Sequence, residues 1–507
     1  MRTILQFGAG KSATVLIDYL LRHAAQENWR LVLVDADHRL AASKLAHSSH
    51  GEAVSFDIRD EESRTDWIRQ ADIVISLLPP ALHQVVAEDC LRFGKNLLTA
   101  SYVDPSIRKM GPELERKGLL FLCEMGLDPG IDHMSALALI RKVRGEGDRI
   151  TSFLSHCGGL VAPESDDNPW HYKISWNPRN VVLAGKAGAR YRERGQSIDL
   201  PYPELFRDDR HVDIPGVGAL GWYPNRDSLS YIPLYGLETA DTFIRTTLRH
   251  PDFLFGWNHI VSLHLTDETP VYDTDGKSLQ TLFREHLERH GFGEWLGQQL
   301  KNSLSEGKGL LENLIKLADA EQQARQQGND LPSSFLTADP KGNLQEVEMD
   351  AVKKQAAQYL AHRMHRTNLI LKQLFFLGLN DDETLVNRGR CSAADLLQFA
   401  LERKLTLRPY DRDMIVMLHE IGHEHQGTQR ISRSTLVVKG ENGLHTAMAR
   451  TVGLPLGIAA RLILNGRIQC TGVRLPLLPE IYEPVLAELA ENGVRFTEST
   501  ATNGAGS

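Results

Sequence analysis

The chain has few cysteines: five among 507 residues, at positions 90, 123, 157, 391 and 470. Their number is odd, and no two of them form a CxxC pair. This usage argues against a disulfide-stapled secreted domain and against a cysteine-ligated zinc site. We therefore expect reduced thiols. The opening residues, MRTILQFGAG, run straight into a strand pattern rather than a leader, so we also expect a cytoplasmic location.

Long hydrophobic runs and excess positive charge are also missing from the sequence. No uninterrupted apolar stretch approaches the roughly 20 residues that a membrane helix needs. The net charge is −8 and the pI about 6.2, which argues against nucleic acid or an anionic membrane as a partner. The composition, 42% hydrophobic and 24% charged, is that of a globular enzyme with two or three domains.

Strand and helix patterns alternate over the first 130 residues and then give way to a different organisation. Short apolar strands separated by amphipathic helices predict a doubly wound parallel sheet of about six strands. Later strands are separated by long polar loops, and a mainly helical stretch follows. We predict a Rossmann domain at 1–128, an α+β domain at 129–275 and 406–447, a helical insert at 276–405, and a disordered tail at 497–507.

The first strand ends in FGAGKSA, which places Gly8, Gly10 and Ala13 in a GxGxxA pattern before a helix. Gly8 permits a tight turn, Gly10 lets a pyrophosphate approach the backbone, and Ala13 keeps the helix close to the sheet. The pattern alone is weak, and a glycine-rich turn without a ligand is the alternative. The strand–turn–helix context favours a dinucleotide site.

The end of the second strand, VDAD, bears on the choice of dinucleotide. A carboxylate at Asp35 can accept hydrogen bonds from the adenosine ribose and would repel a 2′-phosphate, which favours NAD(H). Arg39 lies nearby in the sequence, so NADP(H) stays open. FDIRD after the third strand places Asp57 and Ile58 where an adenine would lie.

Four further stretches point to an anionic substrate. TASY at 99–102 and EMGLDPGIDH at 124–133 follow predicted parallel strands, and ligands bind at the carboxyl ends of such strands. YPNRDS and IRTTLRHP supply Arg226 and Arg249. Arginine suits fork-like pairing with carboxylates. A single such arginine is more often a surface residue, so the prediction depends on the whole set.

Together these stretches resemble the saccharopine dehydrogenases of the glutamate-forming type, also called saccharopine reductases. The resemblance implies a Rossmann domain, a mixed α/β substrate and dimerisation domain, a helical insert, and C-terminal helices at about 448–495 that return to the Rossmann side. It also implies a homodimer that interconverts saccharopine with L-glutamate and 2-aminoadipate 6-semialdehyde by hydride transfer. The segments that carry it are GAGKSA, DIVISLLPPALH, TASYVDP, EMGLDPGIDH, SFLSHCGGLVAPESDDNPWHYKISW, YPNRDS, TLRHPDF and RTVGLPLGIAARLILNGRIQCTGV.

The resemblance also implies roles for individual residues. The pyrophosphate would meet Ala9, Gly10, Lys11 and Ser12. The nicotinamide and its ribose would be lined by Ser76, Ala100, Ser101, Leu127, Asp128 and Pro129, with Ser175 nearby. The substrate would contact Ser101, Tyr102, Asp128, Arg226, Thr247, Leu248 and Arg249. Asp128 and Tyr102 are candidates for proton transfer. Asp35 departs from the basic or neutral residue of the fungal biosynthetic members.

Two other functions are compatible with the sequence. One is another opine- or polyamine-forming dehydrogenase on the same scaffold, such as a carboxynorspermidine dehydrogenase, whose cationic substrate would require a carboxylate-rich site. The other is an NAD-binding protein without catalysis. The direction of the reaction, lysine synthesis or breakdown, stays open.

The segment HEIGHEH, residues 419–425, contains the HExxH pattern of zinc proteases. The HExxH pattern binds zinc only on a helix. The surrounding sequence is instead rich in β-branched and bulky apolar residues and predicts two strands around a turn. In a strand, His419 and His423 would lie roughly 13 Å apart, too far to share one ion. We therefore predict no metal site.

Overall fold

The structure, a computed structural model, describes residues 1–295, 297–298, 301, 316, 334–338, 344–348, 366 and 368–502. The chain divides into two units. One comprises Met1–Leu254 with Leu405–Ser507, and the other comprises Phe255–Lys404. The first unit contains both large sheets, and every predicted site residue lies in it.

A parallel sheet of seven strands forms one layer of the first unit. Its strands are β1 Arg2–Phe7, β2 Trp29–Val34, β3 Gly51–Val54, β4 Ile73–Ser76, β5 Asn96–Thr99, β6 Leu120–Leu122 and β20 Gly472–Arg474. The order is β3-β2-β1-β4-β5-β6-β20, and the first six follow the Rossmann arrangement. The seventh strand was missed because three residues near the other end of the chain carry no periodicity of their own.

Helices cover both faces of this sheet. They are α1 Thr14–Glu27, α2 His38–Leu45, α3 Glu61–Gln70, α4 His83–Phe93, α5 Pro105–Arg108, α6 Gly111–Lys117, α13 Ala447–Leu464 and α14 Pro479–Glu491. Helix α13 packs closely on α1, because a Cβ at Gly457 would lie 2.6 Å from the Tyr19 ring. Among the described residues, α13 is the one helix long and apolar enough to span a membrane. Its burial against α1 explains that composition.

The second layer is a sheet of ten strands. They are β7 Arg149–Val161, β8 Ala189–Glu193, β9 Gln196–Leu200, β10 His211–Ile214, β11 Gly218–Pro224, β12 Arg226–Asp227, β13 Thr242–Arg249, β18 Asp413–His425, β19 Thr428–Lys439 and β21 Thr497–Thr502. Helices α7 Ile131–Gly145, α8 Pro178–Val182 and α9 Ile232–Tyr235 accompany it. One apolar core contains Leu98 and Leu122 from the first sheet and Ile415 and Met417 from the second.

HEIGHEH lies in β18, as predicted, and the hairpin to β19 turns at Gln426 and Gly427, both with positive φ. The predicted disorder from 497 is wrong for Thr497–Thr502, which pair antiparallel with β19. TESTAT has no large apolar residue to signal a strand, and its backbone is held at a sheet edge. Residues 503–507 lie outside the described residues.

The second unit begins at Phe255, earlier than the predicted insert at 276, and contains strands as well as helices. Its elements include α11 Leu279–Arg289, α12 Ala393–Lys404, and the strand pairs β14 Tyr272–Asp273 with β17 Arg390–Cys391 and β15 Ser334–Ala338 with β16 Leu344–Glu348. Helix α10, Pro251–Ser262, crosses the boundary. Within the helical insert predicted at 276–405, most residues between 299 and 367 lie outside the described residues.

Candidate active site

The Gly8–Ala13 turn connects β1 to α1 at the carboxyl edge of the parallel sheet. Gly8 has a φ of +96°, and a Cβ there would lie 2.9 Å from the carbonyl oxygen of Leu77. Gly10 faces open space, whereas Ala9 and Ala13 are buried. Backbone N–H groups and the start of a helix therefore border a cradle without side chains, which fits a pyrophosphate.

Asp35, at the end of β2, is used by the turn itself. Its Oδ2 accepts a hydrogen bond from the N–H of Ala9 at 2.8 Å, and its Oδ1 accepts one from the N–H of Asp37 at 3.0 Å. Lys44 Nζ donates to the Gly10 carbonyl at 2.8 Å. Burial lowers the pKa of Lys44 to about 8. Asp35 thus has an anchoring role that the sequence did not indicate.

Arg245 on β13 is the centre of a buried charge cluster. Its Nη2 donates to Asp128 Oδ1 at 2.6 Å and to Asp132 Oδ2 at 2.7 Å. The Tyr102 hydroxyl donates to the same Asp128 oxygen at 3.1 Å, and only 2% of the Arg245 side chain is exposed. The predicted pair Asp128 and Tyr102 is therefore brought together, through an arginine that was not predicted.

The two carboxylates of this cluster have different proton affinities. Burial, opposed by Arg245, raises the pKa of Asp128. Burial also disfavours the charged form of Asp132, but His133 and Arg245 together bring its pKa below the ordinary value. Burial and Asp128 raise the pKa of Tyr102 well above its usual range. Asp128 is therefore the carboxyl group suited to exchanging a proton, and Asp132 is the permanent counter-ion.

A second buried network supports the first. Glu124 Oε2 lies 2.9 Å from His133 Nε2, and His133 Nδ1 lies 2.6 Å from the Tyr235 hydroxyl. The Tyr231 hydroxyl also donates to Glu124, at 3.2 Å. Asp132 belongs to the first network and His133 to the second. Both lie in the first turn of α7, so this helix links the two networks.

Arg249 is a buried arginine without an acidic partner. It is 4% exposed, and its guanidinium carbon lies 5.2 Å from the Tyr172 ring centre. Nη1 donates to the Leu248 carbonyl at 2.7 Å, whereas Nε has no hydrogen-bond partner. Among the residues that the structure describes, no carboxylate pairs with it. Since a buried cation without a counter-ion is unfavourable, the arrangement suits an anionic ligand.

Arg226 borders an open pocket of about 310 Å³ beside the charge cluster, together with Tyr102, Arg190, Asp227 and Arg245. Its side chain is exposed, its φ is +49°, and its guanidinium carbon lies 5.0 Å from the Tyr102 ring centre. The pocket thus leads from solvent to the Tyr102–Asp128 pair.

The remaining predicted substrate residues on β13 lie on different faces of the strand. Arg245, Thr247 and Arg249 alternate along β13 and share one face. Leu248 is fully buried on the opposite face, among Leu160, Val416 and Leu418. The predicted contact of Leu248 with substrate would therefore be made by its backbone, and it stays a prediction.

The other predicted cofactor residues have varied environments. Ser76 ends β4 and Ser101 follows β5, and the two are joined through His83, which from the sequence resembled a helix-start histidine. Ser175 is buried and hydrogen-bonds to Asp413. Asp57 is exposed. Lys11 and Ser12 lie in the short helical turn just before α1. Ala100, Leu127 and Pro129 lie in the loops after β5 and β6.

Ile58 packs in the apolar core beneath the sheet, with Leu5, Phe7, Val32 and Val34 in the same cluster. Ile58 is 9% exposed, so most of its side chain packs in the core, and its contact with the adenine stays a prediction. The cofactor contacts of the other predicted residues stay predictions.

The histidines of HEIGHEH bind separate partners. His419 Nε2 lies 2.7 Å from the Ser135 hydroxyl, and His423 lies 2.6 Å from Asp148. Glu420 pairs with Arg433 at 2.8 Å. These side chains are used in packing β18 against its neighbours, which explains their presence without zinc.

A histidine cluster flanks Arg249. His171, at a φ of +47°, directs Nδ1 at Asp166 at 2.6 Å and Nε2 at Asp252 at 3.3 Å, and stacks on His250 at 4.0 Å. Together with Asp252, the two histidines bring possible ligand atoms within 4.8 Å of one another. Since both ring nitrogens of His171 point at carboxylates, a protonated imidazolium fits this geometry better than a metal ligand.

This cluster predicts a loss of stability in alkali. Hydrogen bonds to Asp166 and Asp252 raise the pKa of His171 from 6.5 to about 9. The stabilisation should be complete below pH 6.5 and lost as the pH rises through about 9. Between pH 7 and pH 10, the urea concentration at the midpoint of unfolding should fall more for the wild type than for His171→Asn. His47→Asn, an exposed histidine with a φ of +61°, is the control. Equal alkaline losses in wild type and His171→Asn would contradict the prediction.

Comparison with known proteins gives two family matches. The saccharopine dehydrogenase NADP binding domain matches residues 4–122, and the saccharopine dehydrogenase C-terminal domain matches residues 126–494. The chain belongs to the saccharopine dehydrogenase family. Saccharopine dehydrogenase [NADP(+), L-glutamate-forming] of Saccharomyces cerevisiae is 31% identical over 98% of this chain and 99% of its own length.

Other relatives and a solved structure agree. The solved apo saccharopine dehydrogenase (L-Glu forming) of S. cerevisiae has 28% identity and a TM-score of 0.76, covering 99% of this chain and 100% of that one. Alpha-aminoadipic semialdehyde synthase of Arabidopsis thaliana is 31% identical over 98% of this chain. The chain spans only 44% of the length of that relative. The predicted family and fold class are confirmed.

The matches also bear on the cofactor. The matching N-terminal family is described as NADP binding, and the yeast relative is named for NADP(+). The preference for NAD(H) that we inferred from Asp35 is not supported, and NADP(H) is the cofactor that the matches support. In the structure, both carboxylate oxygens of Asp35 accept backbone N–H groups.

Proposed function

We propose that this saccharopine dehydrogenase family member interconverts saccharopine with L-glutamate and 2-aminoadipate 6-semialdehyde, using NADP(H). The observation that carries the proposal is Arg249, a buried guanidinium without a carboxylate partner among the described residues. Saccharopine has three carboxylates and a secondary amine. Arg249 stands four residues from Arg245, the partner of Asp128, on one face of β13, roughly 13 Å of strand. A substrate carboxylate at Arg249 and a substrate nitrogen at Asp128 therefore fit along this face.

The residues divide the chemical work between binding and proton transfer. Arg249 and Arg226 bind substrate carboxylates, and Asp128 accepts a hydrogen bond from the substrate nitrogen and takes its proton. The bound nicotinamide supplies hydride acceptance and donation. Tyr102 holds Asp128 and orders the water that opens the imine to glutamate and semialdehyde. Arg245 keeps Asp128 oriented and partly ionised in a buried site.

The arrangement disfavours a polyamine substrate. The site contains three buried carboxylates, Glu124, Asp128 and Asp132, but each has a cationic or histidine partner in the folded protein. In contrast, Arg249 has none among the described residues. A dicationic or tricationic substrate would have to lie beside this guanidinium without compensation.

The proposed function is tested by following NADPH absorbance after mixing the protein with L-glutamate and 2-aminoadipate 6-semialdehyde. Oxidation that requires both substrates supports the proposal, and saccharopine with NADP⁺ should run the reverse reaction. Arg249→Met should raise the saccharopine KM while the Kd for NADPH is retained. Absence of turnover in both directions, or turnover with a carboxyl-free polyamine instead, would overturn the proposal.

Asp35 predicts a pair of opposite effects on cofactor binding. Asp35→Asn keeps an oxygen that can accept the Ala9 N–H but removes the negative charge, so NADPH affinity should rise roughly tenfold, about 1.4 kcal/mol. Asp35→Ala also removes the anchor of the turn, so affinity for NADPH and NADH should both fall. Fluorescence titration of each variant measures these Kd values. Unchanged binding in both variants would remove Asp35 from the cofactor site.

A further inference from the structure

His83 lies between the ends of two neighbouring strands of the parallel sheet. It is the first residue of α4, and its Nδ1 lies 2.8 Å from the hydroxyl of Ser76, the last residue of β4. Its Nε2 lies 2.9 Å from the hydroxyl of Ser101, just after β5. Ser76 is fully buried and His83 is 4% exposed, whereas Ser101 is half-buried. The three side chains form a chain of hydrogen bonds that leads from the interior to the cleft.

The surroundings keep His83 neutral. Both ring nitrogens face hydroxyl groups, and burial lowers the pKa of His83 to about 4. A neutral imidazole has one donor and one acceptor nitrogen. If Nε2 carries the proton, it donates to Ser101, whose own hydrogen then points to the cleft. With the other tautomer, Ser101 donates to His83 and offers only lone pairs. In each tautomer, His83 therefore fixes whether the Ser101 hydroxyl donates to the cleft or only accepts from it.

The rest of Ser101 is already fixed by the fold. Its carbonyl accepts the N–H of Glu124 at 3.2 Å. The next residue, Tyr102, donates to Asp128. Ser101 therefore stands between the carboxyl edge of the sheet and the proton-transferring pair. The direction of its hydroxyl is the freedom that remains, and His83 removes it.

We propose that His83 is a positioning residue for the reaction, which fixes the Ser101 hydroxyl toward the bound nicotinamide and substrate through the Ser76–His83–Ser101 chain. The inference rests on the proposed function. It assigns His83 no direct contact with either ligand. Its removal should therefore change turnover more than the affinity for NADPH.

Two matched substitutions separate the two ends of the chain. The amide of His83→Gln can reach the position of Nε2 and hold Ser101, whereas the shorter His83→Asn can reach that of Nδ1 and hold only Ser76. We expect His83→Asn to lower kcat by roughly 100-fold, the effect of a misplaced reacting group. His83→Gln should stay within about tenfold of wild type. The Kd for NADPH should change little in either variant.

Coupling to Ser101 provides the second measurement. In a Ser101→Ala background, His83→Asn should have little further effect on kcat, because the group that it positions is gone. Multiplicative losses in the double variant, or equal kcat for His83→Asn and His83→Gln, would show that His83 has only a packing role. If the His83 variants do not fold, Ser76→Ala carries the test. It should lower kcat while the protein stays folded at the assay temperature, and wild-type kcat would overturn the inference.

Failure of the proposed function is recognised separately. A wild-type protein without turnover in either direction overturns that function whatever the variants do. His83 is then judged by the emission of bound NADPH, which reports the environment of the nicotinamide. His83→Asn should shift this emission and His83→Gln should preserve it. The same emission in both variants and the wild type would overturn the positioning role.

Discussion

Arg245→Met should lower the free energy of unfolding by about 3–5 kcal/mol and reduce turnover to background, because it leaves two buried carboxylates without their cation. Arg245 donates to both Asp128 and Asp132, and its side chain is 2% exposed. Methionine retains much of the volume, so the loss reports charge rather than packing. Urea unfolding and saccharopine-dependent NADP⁺ reduction measure the two effects.

A compensated variant separates stability from catalysis. Combining Arg245→Met with Asp128→Asn and Asp132→Asn removes all three charges, so most of the lost stability should return while activity stays absent. Arg69→Met, which breaks an exposed ion pair with Asp66, is the control and should change stability by less than about 0.5 kcal/mol. An Arg245→Met protein as stable as the wild type would contradict a buried, paired arginine at this position.

Arg245 also shows how far the sequence led to the site. The carboxyl ends of β5 and β6 could be recognised because strand, glycine turn and helix follow one another in the chain. That order placed TASY and EMGLDPGIDH at the ligand-binding edge of the sheet, and the family resemblance then indicated Tyr102 and Asp128. Arg249 was chosen because arginine suits pairing with carboxylates. Period-two alternation would have placed Arg245 on the same face, and this signal was available but unused.

Contacts between distant segments could not be predicted in this way. The seventh strand, Gly472–Arg474, joins the sheet beside β6 through backbone hydrogen bonds, and its sequence carries no alternation. The polar strand Thr497–Thr502 lies at a sheet edge for the same reason. His83 resembled a helix-start residue, since its partners Ser76 and Ser101 belong to two other segments. Tertiary pairing, not local preference, determines these features.

The preference for NAD(H) was based on the residue type at position 35, and the family matches do not support it. An acidic residue at the end of β2 repels a 2′-phosphate when its carboxylate is free to reach the ribose. Here both oxygens of Asp35 accept backbone N–H groups, from Ala9 and Asp37, and Lys44 lies on the other side of the turn. The carboxylate thus anchors the turn, and the residue type alone could not reveal this role.

The two arginines of β13 have opposite electrostatic roles, which follow from their partners. Arg245 is neutralised within the protein by Asp128 and Asp132, so it belongs to the framework of the site. Arg249, without an acidic partner among the described residues, keeps its charge for a ligand. A substrate carboxylate at Arg249 and a substrate nitrogen at Asp128 would place the reacting carbon between them. The proton balance of Asp128 then becomes the decisive quantity.

Asp128→Asn should lower kcat/KM by roughly 10²- to 10⁴-fold, the usual contribution of a positioned acid–base group. The amide retains the shape and can still accept from Tyr102 and Arg245, but it cannot take a proton. The exposed carboxylate variant Asp66→Asn is the control, with unchanged kinetics. Stopped-flow measurement of NADPH oxidation in each variant separates the hydride step from product release. Wild-type rates in Asp128→Asn would remove this residue from proton transfer.

The pH dependence gives an independent check on the same residue. Burial raises the pKa of Asp128 above its ordinary 3.8. The proton is therefore bound more tightly in the folded than in the unfolded protein, so its stabilising effect is complete below pH 3.8 and lost as the pH rises through the folded pKa. The stability of Asp128→Asn relative to wild type should therefore increase with pH over this range. In the wild type, kcat/KM for saccharopine should rise over the same range as the base form appears, and this acid limb should vanish in the variant. A limb that persists unchanged in Asp128→Asn would assign the titration to another group.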